Sequence, residues 1–205
     1  MKYRVAGVLA MVLMLSAILL ATVLDEDNPN RRIHQHEGAR QPDDGCDCDG
    51  SGLCTHLPLV IIDTDGADIP GKPIADSYDQ ETNFTVTSEG ESMLRARITV
   101  IDSDTHNNHP SDTPDLESEM LIRVRGNSSR YFDKYNYLVR LVDEDGEYQE
   151  QEIMGMHAHY EWAMHGPYLD KSLIRNYMFY NIAGEIMDYA PNVRLCEVII
   201  NGEYK

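Results

Sequence analysis

The chain has 205 residues, which is enough for one ordinary hydrophobic core and a leader segment. Its 17 Lys and Arg residues are outnumbered by 35 Asp and Glu residues, so its formal net charge is -18. A protein that binds duplex nucleic acid normally presents a basic face, and this balance therefore argues against a nucleic-acid partner.

Residues 1–24 are predicted to be a signal anchor. Lys2 and Arg4 precede an uncharged stretch at residues 5–24, which is long enough to span a bilayer as a helix. Basic residues before the stretch and acidic residues 25–27 after it place the rest of the chain outside the cytoplasm. We therefore expect a single-pass protein of the cell membrane. The alternative is a cleaved signal peptide and a secreted protein.

Residues 25–56 are predicted to be a polar linker. They include few large apolar side chains, so they cannot bury enough surface to offset the entropy cost of ordering. The spacing of Cys46, Cys48 and Cys54 is compatible with a metal site, or with a disulfide such as Cys48–Cys54 or Cys54–Cys196. Outside the cytoplasm we favour the disulfide, and we assign no metal ligand.

Residues 57–205 are predicted to form one α+β domain. Apolar and alternating patterns predict strands at 57–63, 82–87, 93–101, 120–125, 136–142 and 193–200. Asp170 is expected to cap a single helix. The apolar residues of that helix share one face: Ile174, Tyr177, Met178, Ile182 and Ile186. Asn201 and Gly202 are typical of a hairpin turn.

Two polar segments contain residue types that bind metals. Residues 63–66 resemble the start of a calcium loop, but Ile74 occupies the position of the required glutamate, so we predict a turn. The polar insertion at 106–119 contains His106 and His109. Since neither has a placed carboxylate beside it in sequence, we interpret both as solvated loop residues.

The segment Arg123–Arg140 has the composition of a phosphate-binding hairpin. A strand is followed by RGNSS at residues 125–129, and Lys134 precedes a second strand. Phosphoryl transfer needs cations on the nucleotide phosphates. Glycine permits close backbone approach, the two serines are donors, and lysine can reach phosphate as a point charge. From the residues alone, a β-hairpin with a polar turn and an exposed lysine explains the same pattern.

An ordered set of motifs resembles the CotH (spore-coat protein H) kinase family. It comprises the hairpin above, Trp162, DKSLIRN at residues 170–176 and VIINGEY at 198–204. The resemblance covers about residues 57–205. It implies the N-terminal, strand-rich part of an atypical protein-kinase-like fold, with ATP and Mg²⁺ as cofactors.

The resemblance also implies roles for individual residues. Lys134 is the candidate phosphate-contacting lysine and Arg125 supports it, while Ser128, Ser129 and Arg175 complete the predicted nucleotide-binding set. The metal-binding and catalytic aspartates of the family are expected beyond Lys205. We therefore assign no catalytic residue and expect these 205 residues to be inactive by themselves.

Two functions follow from this resemblance. The first is part of an extracytoplasmic kinase that transfers phosphate from ATP to Ser on secreted or coat proteins. The alternative is a non-catalytic, membrane-anchored surface or spore-coat assembly module of the same fold. The sequence gives no indication of the oligomeric state.

Overall fold

The computed structural model describes residues 7, 11–20, 46, 48, 52–74, 83–187 and 189–205. The chain divides into two units. One comprises Met1–Gly38 with Asn176–Val193, and the other comprises Ala39–Arg175 with Arg194–Lys205. The second unit contains the β structure and all of the predicted phosphate-contacting residues.

Nine strands lie in the described part of the second unit. They are β1 (Leu59–Asp63), β2 (Leu94–Ile101), β3 (Leu116–Arg125), β4 (Asn136–Val142), β5 (Gln151–Ile153), β6 (Met156–His159), β7 (Glu161–Met164), β8 (Glu197–Ile200) and β9 (Glu203–Tyr204). Seven form one sheet in the order β7-β4-β3-β2-β1-β8-β9, and β5 and β6 form a separate hairpin. Neighbouring strands are antiparallel except β1 and β8, which are parallel. With the helices described below, the predicted α+β class is confirmed.

The hydrophobic core is built on the central strands. In β2, Ala96, Ile98 and Val100 are buried while Arg95 and Arg97 are exposed, as the period-two alternation predicted. Fully buried side chains also come from β1, β3 and β4: Leu59, Ile62, Met120, Ile122, Val124, Val139 and Leu141. The partly buried Trp162 packs against this cluster.

Strand boundaries differ from the predictions where pairing overrides local composition. β4 has the predicted bounds. β3 begins at Leu116, within the predicted polar insertion, because Leu116–Glu119 pair with β2. The predicted strand at 82–87 is wrong over its described residues 83–87, where Phe84 makes an isolated bridge with Pro73. The short strands β5, β6 and β7 were not predicted.

The predicted turns that follow β1 and β8 are confirmed, and hydrogen bonds join them to each other. The carboxylates of Asp63 and Asp65 lie 2.7 and 2.8 Å from the guanidinium of Arg97, so they are paired with a cation of β2. The side chain of Asn201 exchanges hydrogen bonds with Thr64, accepting from its backbone N–H at 2.9 Å. Asn201 and Gly202 have φ of 52° and 79°, as a tight hairpin turn requires.

Two helical segments are described: α1 (residues 11–20) and α2 (Arg175–Ile186). No helix among the described residues is long and apolar enough to cross a membrane. Residues 1–6, 8–10 and 21–24 of the predicted anchor lie outside the described residues, as does most of the predicted linker.

The start of α2 corrects the predicted capping. The helix begins at Arg175, five residues after Asp170, because Leu173 takes a left-handed conformation with φ of 62° and interrupts the helical path. The expected apolar face is largely exposed, at Ile174, Met178, Ile182 and Ile186. The buried residues of α2 are Asn181 and Gly184.

The predicted disulfide is wrong in this structure, because none of the four cysteines forms a disulfide bond. The sulfur atoms of Cys46 and Cys54 lie 3.8 Å apart, well beyond the roughly 2.05 Å of a disulfide bond.

The interpretation of His109 as a solvated loop residue is also wrong. Its side chain is 18 % exposed and its Nε2 lies 3.2 Å from the Cys46 sulfur.

Candidate functional site

The predicted phosphate-binding segment is the connection between β3 and β4. Arg125, the last residue of β3, pairs with Asn136, the first residue of β4. A short 3₁₀ helix at Ser128–Tyr131 lies between them. Gly126 has φ of 109°, and a Cβ there would lie 2.1 Å from the Ser129 hydroxyl oxygen. The positive φ therefore favours glycine at this position, and a larger residue would also require the Ser129 hydroxyl to move.

A buried arginine that the sequence analysis did not single out braces the turn. Arg130 donates hydrogen bonds from Nε to the carbonyl of Gly126 at 2.6 Å and from Nη1 to that of Gly71 at 2.7 Å. Desolvation, and then the charge of Arg123, lower the pKa of Arg130. The only sequence signal for this residue is its position directly after the two serines.

The segment after β7 covers the other side of the turn. Gly166 donates its N–H to Asn136 Oδ1 at 2.8 Å, and a Cβ on Gly166 would lie 2.9 Å from Lys134 Cγ. The rings of Phe132 and Tyr168 stack with centroids 5.1 Å apart. The stem of Lys134 is thus packed against backbone, although the residue as a whole is exposed.

Two cations face solvent at this edge of the sheet. Arg125 and Lys134 are both exposed, Ser128 is exposed, and Ser129 is half-buried beneath Gly126. Desolvation, and then the positive charge of Arg125, lower the pKa of His165, and the Asp170 carboxylate opposes them. The end of β7 therefore lies within electrostatic range of the turn.

Arg175 belongs to a loop that Asp170 organises. The Asp170 carboxylate accepts hydrogen bonds from the Ser172 hydroxyl at 2.6 Å and from the Arg175 backbone N–H at 2.9 Å. Arg175 Nε lies 3.4 Å from the same carboxylate, and its side chain is 68 % exposed. The Ser172 hydroxyl has the largest effect on the pKa of Asp170 and lowers it. Burial opposes this effect, and the Arg175 backbone N–H lowers the pKa further.

The structure therefore brings four of the five predicted residues into one turn. Arg125, Ser128, Ser129 and Lys134 share the β3–β4 connection, while Arg175 lies on the separate loop closed by Asp170. Exposed cations and hydroxyl donors on a braced turn fit a phosphate group. This is the chemistry that the nucleotide phosphates of a kinase require.

The residues described at this edge do not fit Mg²⁺. Asp133 is exposed beside Lys134, and Asp170 is engaged by Ser172 and Arg175. Hard cations of this kind require oxygen ligands grouped around one point. Within the described part of the chain, the one converging group of three or more candidate ligands lies elsewhere, at three cysteines and a histidine.

Comparison with known proteins supports the resemblance over the C-terminal part of the chain. Residues 122–205 match the family model described as CotH kinase protein. The match includes the whole β3–β4 turn, β7 and the Asp170 loop, and it confirms the expected resemblance there. Residues 57–121, the other part of the expected resemblance, lie outside the match. No curated protein and no solved structure matches the chain.

Proposed function

We propose that the β3–β4 turn binds the phosphates of ATP in a CotH-like protein kinase that phosphorylates Ser on secreted or coat proteins. The observation that carries this proposal is the position of Lys134. It is an exposed cation whose stem is packed against Gly166, on a turn braced by Arg130, within the residues that match the family.

Pre-organisation is the physical reason for giving Lys134 this role. A free surface lysine loses side-chain entropy when it binds a ligand, which weakens its contribution. The contact with Gly166 restricts the stem of Lys134 in advance. Arg130 fixes the turn through two backbone carbonyls, so Arg125 and the serines keep their positions. Arg125 adds a second positive charge at the same edge of the sheet.

Arg175 has a supporting role in this proposal. Its guanidinium is only partly satisfied by Asp170, since it is largely exposed and the contact is 3.4 Å long. We therefore expect Arg175 to be available to an anionic ligand while its backbone remains fixed. The Asp170 carboxylate holds the loop from Asp170 to Arg175 in place through three hydrogen bonds.

Catalysis requires groups that the described residues do not bring together. Mg²⁺ supplies charge neutralisation on the phosphates when it is bound in a kinase. Because no converging group of three or more candidate metal ligands lies at the β3–β4 turn among the described residues, we propose that these 205 residues alone transfer no phosphate.

The same observation favours the second candidate function. A non-catalytic surface or coat-assembly module would keep the braced hairpin and would not need Mg²⁺ ligands. In either case we propose that the chain acts outside the cytoplasm, because residues 5–24 have the composition of a signal anchor or signal peptide. Recovery of the protein in the membrane fraction would indicate a signal anchor, and recovery in the secreted fraction would indicate a cleaved signal peptide.

Phosphotransfer assays on the protein encoded by the complete reading frame test the proposed function. Labelled ATP is supplied with Mg²⁺ and serine-containing acceptor protein, and Lys134→Ala is compared with Lys205→Ala. Lys205 is a matched control, because it is an exposed lysine next to the edge strand β9, which four strands separate from β4 in the sheet. We expect Lys134→Ala to lose most of the transfer and Lys205→Ala to keep it. Wild-type transfer by Lys134→Ala would refute the assignment, and no transfer by the unaltered protein would favour the non-catalytic module.

A further inference from the structure

Three cysteines and one histidine converge at residues outside the β3–β4 turn. Cys46, Cys48, Cys54 and His109 each present one ligand atom, and these four atoms all lie within 4.8 Å of one another. The histidine is more than fifty residues from the nearest cysteine along the chain. The fold, rather than local spacing, therefore assembles this cluster.

Two separations within the cluster match a tetrahedral metal site. Two sulfur atoms bound to one Zn²⁺ at about 2.3 Å are separated by about 3.8 Å, and a sulfur and a nitrogen ligand by about 3.5 Å. Cys54 Sγ and Cys46 Sγ are 3.8 Å apart, and Cys46 Sγ is 3.2 Å from His109 Nε2. Both values are too long for covalent bonds between the side chains and close to the edges of that tetrahedron.

The histidine is oriented as a metal ligand would be. His109 Nδ1 lies 3.2 Å from Asp112 Oδ2, and the same oxygen accepts the His109 backbone N–H at 2.8 Å. A proton on Nδ1 directed at the carboxylate leaves the lone pair of Nε2 facing Cys46. A carboxylate on the distal nitrogen is the usual partner of a histidine that binds zinc.

Neighbouring residues hold the two ligand-bearing segments together. Thr55 and Asn108, which directly follow Cys54 and precede His109, form a β-bridge with backbone hydrogen bonds of 3.1 and 2.7 Å. The fully buried Asn108 also donates to the Leu57 carbonyl at 2.9 Å. Asn107, 7 % exposed, directs its side-chain N–H at the Cys54 sulfur over 3.3 Å. Hydrogen bonds of this kind stabilise a metal-bound thiolate.

We propose that Cys46, Cys48, Cys54 and His109 bind one Zn²⁺ in a closed, structural site. Thiolate and imidazole ligands in tetrahedral arrangement favour zinc over magnesium or calcium, which take oxygen ligands. Four protein ligands leave no open position for a substrate water. The metal fastens the segment that carries the three cysteines to the loop before β3. This site is independent of the proposed kinase function.

Metal analysis of the full chain, purified without chelator, tests the proposal first. We expect about one zinc per chain by elemental mass spectrometry, as for a structural Cys₃His site. Cys54→Ser and His109→Ala should each lose that zinc. Cys196→Ser is the matched control, because Cys196 is the one cysteine outside the cluster, and it should retain the metal.

Cobalt substitution keeps the proposal testable if these variants fail to fold. The unaltered chain loaded with Co²⁺ should show the visible bands of a tetrahedral site and strong sulfur-to-cobalt absorption. His109→Cys preserves four ligands and should retain both the metal and the tetrahedral bands, with stronger sulfur absorption. Asp112→Asn should lower zinc affinity about 10–100-fold without removing a ligand.

Three results would overturn the proposal. One is a chain with no stoichiometric zinc whose cysteines 46, 48 and 54 are all reactive. Another is a disulfide among these three cysteines, found by mass spectrometry of peptides from the non-reduced protein. The third is equal zinc content in Cys54→Ser, His109→Ala and Cys196→Ser.

Discussion

The guanidinium carbon of Arg130 lies 4.0 Å from the ring centroid of Phe84, and it joins the β3–β4 turn to the chain before β2. Because the Phe84 ring contacts the face of the guanidinium, the N–H groups can still donate in the plane of the guanidinium. They donate to the carbonyls of Gly126 and Gly71. One side chain therefore contacts two backbone carbonyls and one aromatic ring from three separate segments of the chain. The shape of the predicted phosphate-binding turn depends on it.

Arg130→Ala should destabilise the fold by about 2–4 kcal/mol, because two carbonyl groups lose charged donors and the stacking is lost. Arg130→Lys should recover only part of this, since an ammonium cannot serve both carbonyls with the same geometry. The measurement is the free energy of unfolding in urea. Arg125→Ala is the control, and because Arg125 is exposed it should change stability by less than about 0.5 kcal/mol. Equal effects of the two alanine variants would contradict the bracing role.

Gly166→Ala should disturb the Lys134 stem. A Cβ at this position would lie 2.5 Å from the Tyr135 carbonyl oxygen and 2.9 Å from Lys134 Cγ, so the two segments must separate. Overpacking of this kind costs about 1–3 kcal/mol. Gly52→Ala is the control, because a Cβ there meets nothing within 4 Å. The measurement is the thermal unfolding temperature of the two variants. An unchanged unfolding temperature in Gly166→Ala would show that the close contact is absent.

The Asp170 carboxylate should stabilise the loop before α2 in a pH-dependent way. Its pKa in the fold is below the ordinary value of 3.8, chiefly because the Ser172 hydroxyl and the Arg175 N–H donate to the ionised form. A lowered carboxylate pKa contributes stability that is present above the unfolded pKa and is lost as the pH falls through the folded pKa. Arg175 and His165 are the charged and titratable neighbours.

Asp170→Asn should therefore be less stable than the unaltered chain at pH 7, and the difference should shrink as the pH falls below about 4. Urea unfolding at pH 7 and at pH 3 gives the comparison. Ser172→Ala removes the principal donor and should show a smaller version of the same trend. A stability difference that is constant between these pH values would contradict the assignment.

Lys134→Arg should restore phosphotransfer only partly relative to Lys134→Ala. The positive charge is kept, but a planar fork replaces a compact ammonium and must pass the contact with Gly166. Both variants should unfold within about 0.5 kcal/mol of the unaltered protein, because Lys134 is exposed. Full activity in Lys134→Arg would indicate that charge alone suffices at this position.

The parts of the fold that the sequence predicted are those governed by local pattern. The alternation of Arg95 and Arg97 with buried residues predicted β2, and the apolar stretch at 136–142 predicted β4 with its observed bounds. Asn201 and Gly202 predicted the β8–β9 hairpin because both need positive φ. By contrast, β5, β6 and β7 are three or four residues long, too short for a period to be detected.

The parts that could not be predicted depend on contacts between distant residues. In the sequence, Arg130 has the character of an ordinary surface arginine. Its buried role depends on the Gly71 carbonyl and the Phe84 ring, which are distant in sequence. His109 looked solvated because its three sulfur partners are in a segment that composition assigned to a linker. The helix start was displaced by the positive φ of Leu173, a non-glycine residue for which the sequence gives no warning.

The most direct test of the central claim is to label lysines with an acyl-phosphate analogue of ATP, which acylates amines beside the bound phosphates. The protein encoded by the complete reading frame is labelled with and without excess ATP, and the modified lysines are located by peptide mass spectrometry. We predict that Lys134 is labelled and that ATP protects it, while Lys205, next to the edge strand β9, shows no protection. Labelling of Lys134 that ATP leaves unchanged, or equal protection of Lys134 and Lys205, would contradict the account.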